Sequence, residues 1–141
     1  MIDYTSLRKS LALLQSQYTH YSTMDTDLAP YLQEALTESV IQRFEACYDC
    51  LWKVLKRYLV EELGLVNTPN SPRGVVRLAF ENDLLPAGVE TWFAFVDARI
   101  STSHDYSGEK AQNALSLMQG FITESIHLYE SMTGDTWKIL P

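Results

Sequence analysis

Residues 40–59, Val-Ile-Gln-Arg-Phe-Glu-Ala-Cys-Tyr-Asp-Cys-Leu-Trp-Lys-Val-Leu-Lys-Arg-Tyr-Leu, decide the fold. Ile41, Phe44, Tyr48, Leu51, Leu55 and Tyr58 recur at steps of three and four, and Val40, Cys47 and Val54 widen the stripe. That period marks one face of an α-helix. Arg43, Glu45, Asp49, Lys53, Lys56 and, a turn further on, Glu61 fall between the apolar positions. The pattern predicts one amphipathic helix from about Tyr31 to about Leu63, stopped by Gly64. A stripe this wide packs against more than one neighbour, as in a bundle.

The same spacing recurs on both sides. Ala111, Ala114, Met118, Phe121, Ser125, Leu128 and Met132 predict a second long helix after Gly108, with Gly134 as its stop. Leu7, Leu11, Leu14 and Tyr18 predict a helix from Tyr4 to about Tyr18. Between the long elements, Ser71-Pro72 opens a short helix to about Glu81, because Pro is well tolerated at the first helical position. Pro86 is read as opening another, which carries Val89, Trp92, Phe93 and Val96 and fades near residues 99–101. No segment alternates with period two, so no strand is expected. Residues 64–71 form a linker, and 22–30 a softer break. The expectation is an all-α, antiparallel up-and-down bundle of four or five helices, four of them the main ones, over residues 1–141 as a single domain.

Composition narrows the class. The chain has 141 residues, 11 Lys/Arg against 18 Asp/Glu and a net charge of −7. That length fits one domain with a core that needs no staples. Two cysteines exclude a disulfide scaffold. The N-terminus carries neither a basic nor an apolar leader region, and no apolar run approaches the roughly 18–20 residues of a membrane span; a cytoplasmic protein is expected. The charge is uneven: residues 43–77 hold six Lys/Arg and four Asp/Glu, net +2, whereas residues 78–141 hold three and nine, net −6. An acidic protein repels nucleic acid at long range, so any polyanion contact must be local.

Few residues suggest chemistry. Cys47-x-x-Cys50 sits mid-helix in the apolar stripe, with no second Cys pair and no nearby His, and reads as core packing rather than zinc or redox chemistry. His20 and His127 lack partners at metal-ligand spacing and read as structural or solvated. No Gly-rich phosphate loop, HExxH or nucleophile elbow occurs, so neither cofactor nor metal is expected. What remains is Arg99-Ile-Ser-Thr-Ser-His104-Asp-Tyr106. On a continuous helix Arg99 and His104 would face about 140° apart. A helix ending near residues 101–103 would let His104 fold back. Two readings stand at this point. The segment is a polar interhelical turn with His104 satisfied by Asp97 or Asp105, or Arg99 and His104 are a minimal metal-free kit for RNA cleavage. In the second, His104 takes the proton of a ribose 2′-OH while Arg99 steadies the charge building on the phosphate.

Three blocks resemble a known family: Arg43-Phe-Glu-Ala-Cys-Tyr-Asp-Cys-Leu-Trp52-Lys53-Val-Leu-Lys56, then Ser71-Pro72-Arg73-Gly-Val-Val-Arg77, then Glu90-Thr-Trp92 through Arg99 to His104-Asp-Tyr106. Together they are similar to the HepT-like nucleotidyltransferase substrate-binding proteins of the HEPN superfamily. The resemblance implies a helical bundle, usually a homodimer, that partners a minimal nucleotidyltransferase encoded nearby, binding the enzyme and its acceptor substrate within a toxin–antitoxin pair. It also implies an alternative: in toxin members the R-x4–6-H-x-Y motif is a metal-independent ribonuclease site, silenced when the partner adds AMP to the motif tyrosine. On this pattern Arg99 and His104 are the catalytic pair and Tyr106 the modified residue. Arg73, Arg77, Lys53 and Lys56 are then candidate contacts for phosphate, RNA or nucleotide. One departure stands out: Ile100 follows the motif arginine where the family commonly has Asn.

Overall fold

The computed structural model describes residues 1–103 and 108–138. Five helices follow in order: α1 Thr5–Ser22, α2 Pro30–Glu61, α3 Pro72–Glu81, α4 Val89–Thr102 and α5 Gly108–Thr133. Among the described residues there is no strand. The four main helices are α1, α2, α4 and α5; the short α3 is the fifth. The amino group of Met1 lies 3.9 Å from Glu61, so α1 starts where α2 ends. The Tyr4 hydroxyl faces the Met132 carbonyl at 3.5 Å, so α1 also starts where α5 ends. Helix α2 touches all four others, as its wide stripe requires.

Aromatic side chains tie the core together. Phe121 of α5 meets Phe44 of α2 edge-to-face at 5.0 Å and Phe95 of α4 at 5.2 Å. Trp92 adds an edge contact to Phe95 at 5.2 Å. Such pairs contribute about 0.5–1.5 kcal/mol each beyond the area they bury. Leu7, Leu11 and Leu14 of α1 are fully buried. Beyond α5, Trp137 packs on Tyr129 and donates its indole N–H to Gln15 of α1.

Three helix ends depart from the sequence reading. Helix α4 begins at Val89, not Pro86. Residues 85–88 form a turn instead, with the Gly88 N–H bonded to the Leu85 carbonyl at 3.0 Å and Gly88 at φ +94°. Pro86 supplies the fixed φ of the second turn position, and the positive φ at Gly88 breaks helical continuity. Helix α1 runs four residues past Tyr18 to Ser22, its last turn carrying Ser22 and Thr23 hydroxyls bonded back to the Tyr18 and Thr19 carbonyls. Helix α2 ends at Glu61, and at Gly64 (φ +69°) the chain curls so that Leu65 N–H reaches the Leu59 carbonyl.

Helix α3 follows its sequence signal closely. The Ser71 hydroxyl accepts from Gly74 N–H at 3.3 Å, and Pro72 occupies the first helical position. Gly74 has a steric reason: a Cβ there would sit 2.7 Å from the Pro69 Cβ and 2.9 Å from the Ser71 hydroxyl. The linker thus closes against the start of α3, fixing where Arg73 and Arg77 stand.

Candidate functional site

The start of α3 and the end of α4 meet the middle of α2 around a cleft of about 420 Å³. Tyr48, Asp49 and Trp52 of α2 form one wall, Ser71 to Arg73 a second, and Val96, Arg99, Ile100 and Ser103 the third. Arg99 is tightly constrained there. Its Nε and one terminal nitrogen donate to the two oxygens of Asp49, both at 3.1 Å, and the other terminal nitrogen donates to Glu45 at 3.0 Å. The Thr102 hydroxyl, itself buried, donates to the same Glu45 oxygen at 3.0 Å. Glu45 and Asp49 are one turn apart on α2, so both face the same side and close on one guanidinium. The side chains of Glu45 and Arg99 are 12% and 24% exposed, which makes these charge-assisted bonds stronger than surface pairs.

The second arginine group is arranged differently. Arg73 pairs with Asp97 of α4, and its guanidinium lies 4.6 Å from the Phe93 ring centre. Arg77, one turn along α3, lies 5.6 Å from the same ring. Lys56 donates to the Asn70 side chain at 2.9 Å, and Lys53 is exposed on α2. Tyr48 lies nearly buried under the cleft. Burial pushes its phenol well above the ordinary tyrosine range, the neighbouring Asp49 charge adds to that, and Arg99 opposes it. The phenol therefore keeps its proton through the neutral range.

Of the residues singled out from sequence, Arg99 and Arg73 line the cleft together, while Lys53, Lys56 and Arg77 stand outside its walls. Helix α4 ends at Thr102, within the 101–103 stretch considered for its end from sequence. His104 and Tyr106 themselves lie outside the described residues. Asp97, one of the two carboxylates offered as a partner for His104, is engaged by Arg73. Cys47 is buried, its thiol pushed up to about 12 by burial, and Cys50 is half-buried beside it. Among the described residues no group of three or more His, Cys, Asp or Glu gathers to hold a metal ion. No helix among them is long and apolar enough to cross a membrane.

Sequence reasoning misses Glu45, Asp49 and Thr102. Glu45 and Asp49 read as the polar filler of an amphipathic helix, and the pairing that gives them a role spans 54 and 50 residues. The available signal is the four-residue spacing of two carboxylates, one of them inside the Arg43-Phe44-Glu45 block.

Comparison with known proteins places this architecture. A curated protein of Haemophilus influenzae, described as a probable ribonuclease HepT, is 29% identical over 113 residues, which cover 75% of this chain and 74% of that protein. The solved structure of HI0074 from Haemophilus influenzae, described as revealing the fold of a substrate binding domain of a nucleotidyltransferase, superposes with a TM-score of 0.81 at 26% identity, over 92% of this chain and 98% of the other. The crystal structure of ttk003001694 from Thermus thermophilus superposes with a TM-score of 0.75 at 28% identity, over 90% and 98%. The family profile of nucleotidyltransferase substrate binding protein like chains matches residues 2–134, so the chain belongs to that family.

Proposed function

We propose that this chain is the helical partner of a small nucleotidyltransferase and that the cleft at the end of α4 cleaves RNA. The observation that carries the reading is Arg99, held rigidly at the cleft wall five residues before His104. Similarity to a probable ribonuclease HepT supports it. In this reading the phosphodiester enters the cleft against Arg99 and Arg73. The imidazole of His104 takes the 2′-OH proton, and the freed oxygen attacks the adjacent phosphorus. The bond to the 5′-oxygen breaks, that oxygen takes a proton from water, and His104 returns its proton to solvent. The products are a 2′,3′-cyclic phosphate and a 5′-hydroxyl. Arg99 offsets the charge developing on the phosphoryl oxygens. Tyr106 is the residue the nucleotidyltransferase would modify with AMP, and a homodimer is the expected assembly.

Incubation of total tRNA with purified protein in EDTA, wild type beside His104→Ala, tests this, with intact mass confirming that Tyr106 is unmodified. Cleavage to cyclic phosphate ends that vanishes in the variant is the expected result. RNA left intact by unmodified wild type would overturn it.

One observation favours a second reading. Two carboxylates face Arg99, on a chain whose net charge is already −7. A surface of this kind suits a subunit that docks the nucleotidyltransferase and completes its acceptor site without cutting RNA. That reading predicts a stable complex with the enzyme and no response to His104→Ala.

A further inference from the structure

Two carboxylates converge on Arg99, where one would balance the charge of its guanidinium. Holding charged groups away from water costs desolvation, so adding a partly buried carboxylate such as Glu45, at 12% side-chain exposure, is a poor device for stability. The geometry suggests another purpose. A guanidinium has five N–H donors in one plane, and here three nitrogens reach carboxylate oxygens between 3.0 and 3.1 Å away. Asp49 takes the edge formed by Nε and one terminal nitrogen, which fixes the plane. Glu45 pins the opposite terminal nitrogen and is itself pinned by Thr102, whose hydroxyl donates to it at 3.0 Å.

The clamp stands on a rigid base. Phe44, Cys47, Tyr48 and Leu51, which flank Glu45 and Asp49 on α2, are all buried, so that stretch of helix cannot roll. Asp49 also opens onto the cleft at 44% side-chain exposure, whereas Glu45 lies behind it. Two carboxylates keep the guanidinium in its plane when the phosphate arrives.

We propose that Glu45 and Asp49 are positioning residues that hold the Arg99 guanidinium in the orientation in which it meets the scissile phosphate. This role rests on the ribonuclease reading above. The carboxylates touch neither the 2′-oxygen nor the phosphorus; they act through Arg99. A misplacement of about 1 Å in such a group costs on the order of 100-fold in rate.

The experiment is single-substrate cleavage kinetics in EDTA on a short oligoribonucleotide that the wild type cuts. Wild type is compared with Asp49→Asn, Glu45→Gln, Arg99→Ala and Arg99→Ala/Asp49→Asn, each with a thermal unfolding curve. Both isosteric variants are expected to lower kcat roughly 10- to 100-fold with KM within about threefold. In the Arg99→Ala background Asp49→Asn is expected to cost nothing further, because the group it positions is gone. Full additivity in the double variant would overturn the role, as would a rise in activity on neutralising either carboxylate, which would make the pair an electrostatic barrier instead. Activity that falls only in step with the folded fraction at the assay temperature would also overturn it and reduce the cluster to an ion pair for folding. A wild type that cuts no RNA sinks the ribonuclease reading and this role with it. An active wild type with unaffected variants sinks this role alone.

Discussion

The two arginine sites beside the cleft use the same side chain in opposite ways. Arg99 is 24% exposed and gripped by two carboxylates from one rigid helix, whereas Arg73 is 45% exposed, paired with an Asp97 that is itself 65% exposed, and laid over Phe93. A guanidinium on an aromatic face keeps its charge and much of its freedom, because the ring accepts a broad range of approach. A bidentate carboxylate fork fixes one plane. The inner arginine is therefore held in a single geometry, whereas the outer pair, Arg73 and Arg77, keeps more freedom. The cations of this chain are thus not one basic patch.

Arg99→Ala has the largest expected effect. On the ribonuclease reading, cleavage is expected to fall more than about 100-fold, since the charge on the reacting phosphate would lose its donor. Stability is expected to fall by about 2 kcal/mol, because Glu45, at 12% exposure, loses a charged partner across the α2–α4 contact. Arg99→Lys restores the charge without the fork and is expected to recover stability better than rate. Equal recovery of both would show that charge alone matters there. Kinetics and urea unfolding on the same preparations read both quantities.

Gly74→Ala attacks the seat of the outer pair. The added methyl meets Pro69 and Ser71 at 2.7 and 2.9 Å, and the proline ring, tied into the linker backbone, leaves little room to yield. Overpacking of this kind costs about 1–3 kcal/mol, or a drop of roughly 2–4 °C in Tm per kcal/mol for a chain of this size. Below the new midpoint, the Arg99 clamp is expected to keep its kcat. A loss of kcat in fully folded Gly74→Ala would mean the two sites are coupled through α3.

Arg73→Ala and Arg77→Ala are expected to change stability by less than about 1 kcal/mol, as exposed pairs and cation–π contacts do. On the ribonuclease reading their effect belongs in RNA affinity. Each removed phosphate contact lowers the slope of log affinity against log salt by about 0.7 for a single strand. A variant with an unchanged slope would show that its arginine faces protein rather than RNA.

The bundle and half of the cleft are legible in the sequence, for physical reasons that differ by element. Helices α2 and α5 declare themselves because burial repeats every three or four residues along one chain segment, and Ser71-Pro72 declares α3 through its cap. The start of α4 is misleading because Pro86 satisfies the second position of a turn as readily as the first position of a helix. The positive φ at Gly88 decides between them, and it depends on how the neighbouring helices meet. Arg99 is legible as part of a short motif. Its partners are not, because nothing local distinguishes Glu45 and Asp49 from solvated charges until α4 folds against α2. The same holds for Arg73 and Asp97, which lie 24 residues apart.

A thiol-labelling measurement separates the inner site from the outer one without any RNA. Cys47 lies in the core, beside the Arg99 clamp on α2, and burial pushes its thiol up to about 12. The native state thus holds a proton that the unfolded chain releases near the ordinary thiol pKa of about 8.5. Where the folded state binds the extra proton, stability declines with rising pH, so this contribution weakens from about pH 8.5 upward until the native thiol itself ionises near 12. At pH 8 a thiol-reactive reagent reaches Cys47 only through opening of the bundle. Its labelling rate then reports the opening equilibrium. Arg99→Ala is expected to raise that rate roughly 30-fold, the equivalent of about 2 kcal/mol, while Arg73→Ala leaves it within about fivefold. Equal acceleration by both substitutions would show that the outer ion pair contributes as much to closing the bundle as the inner clamp does.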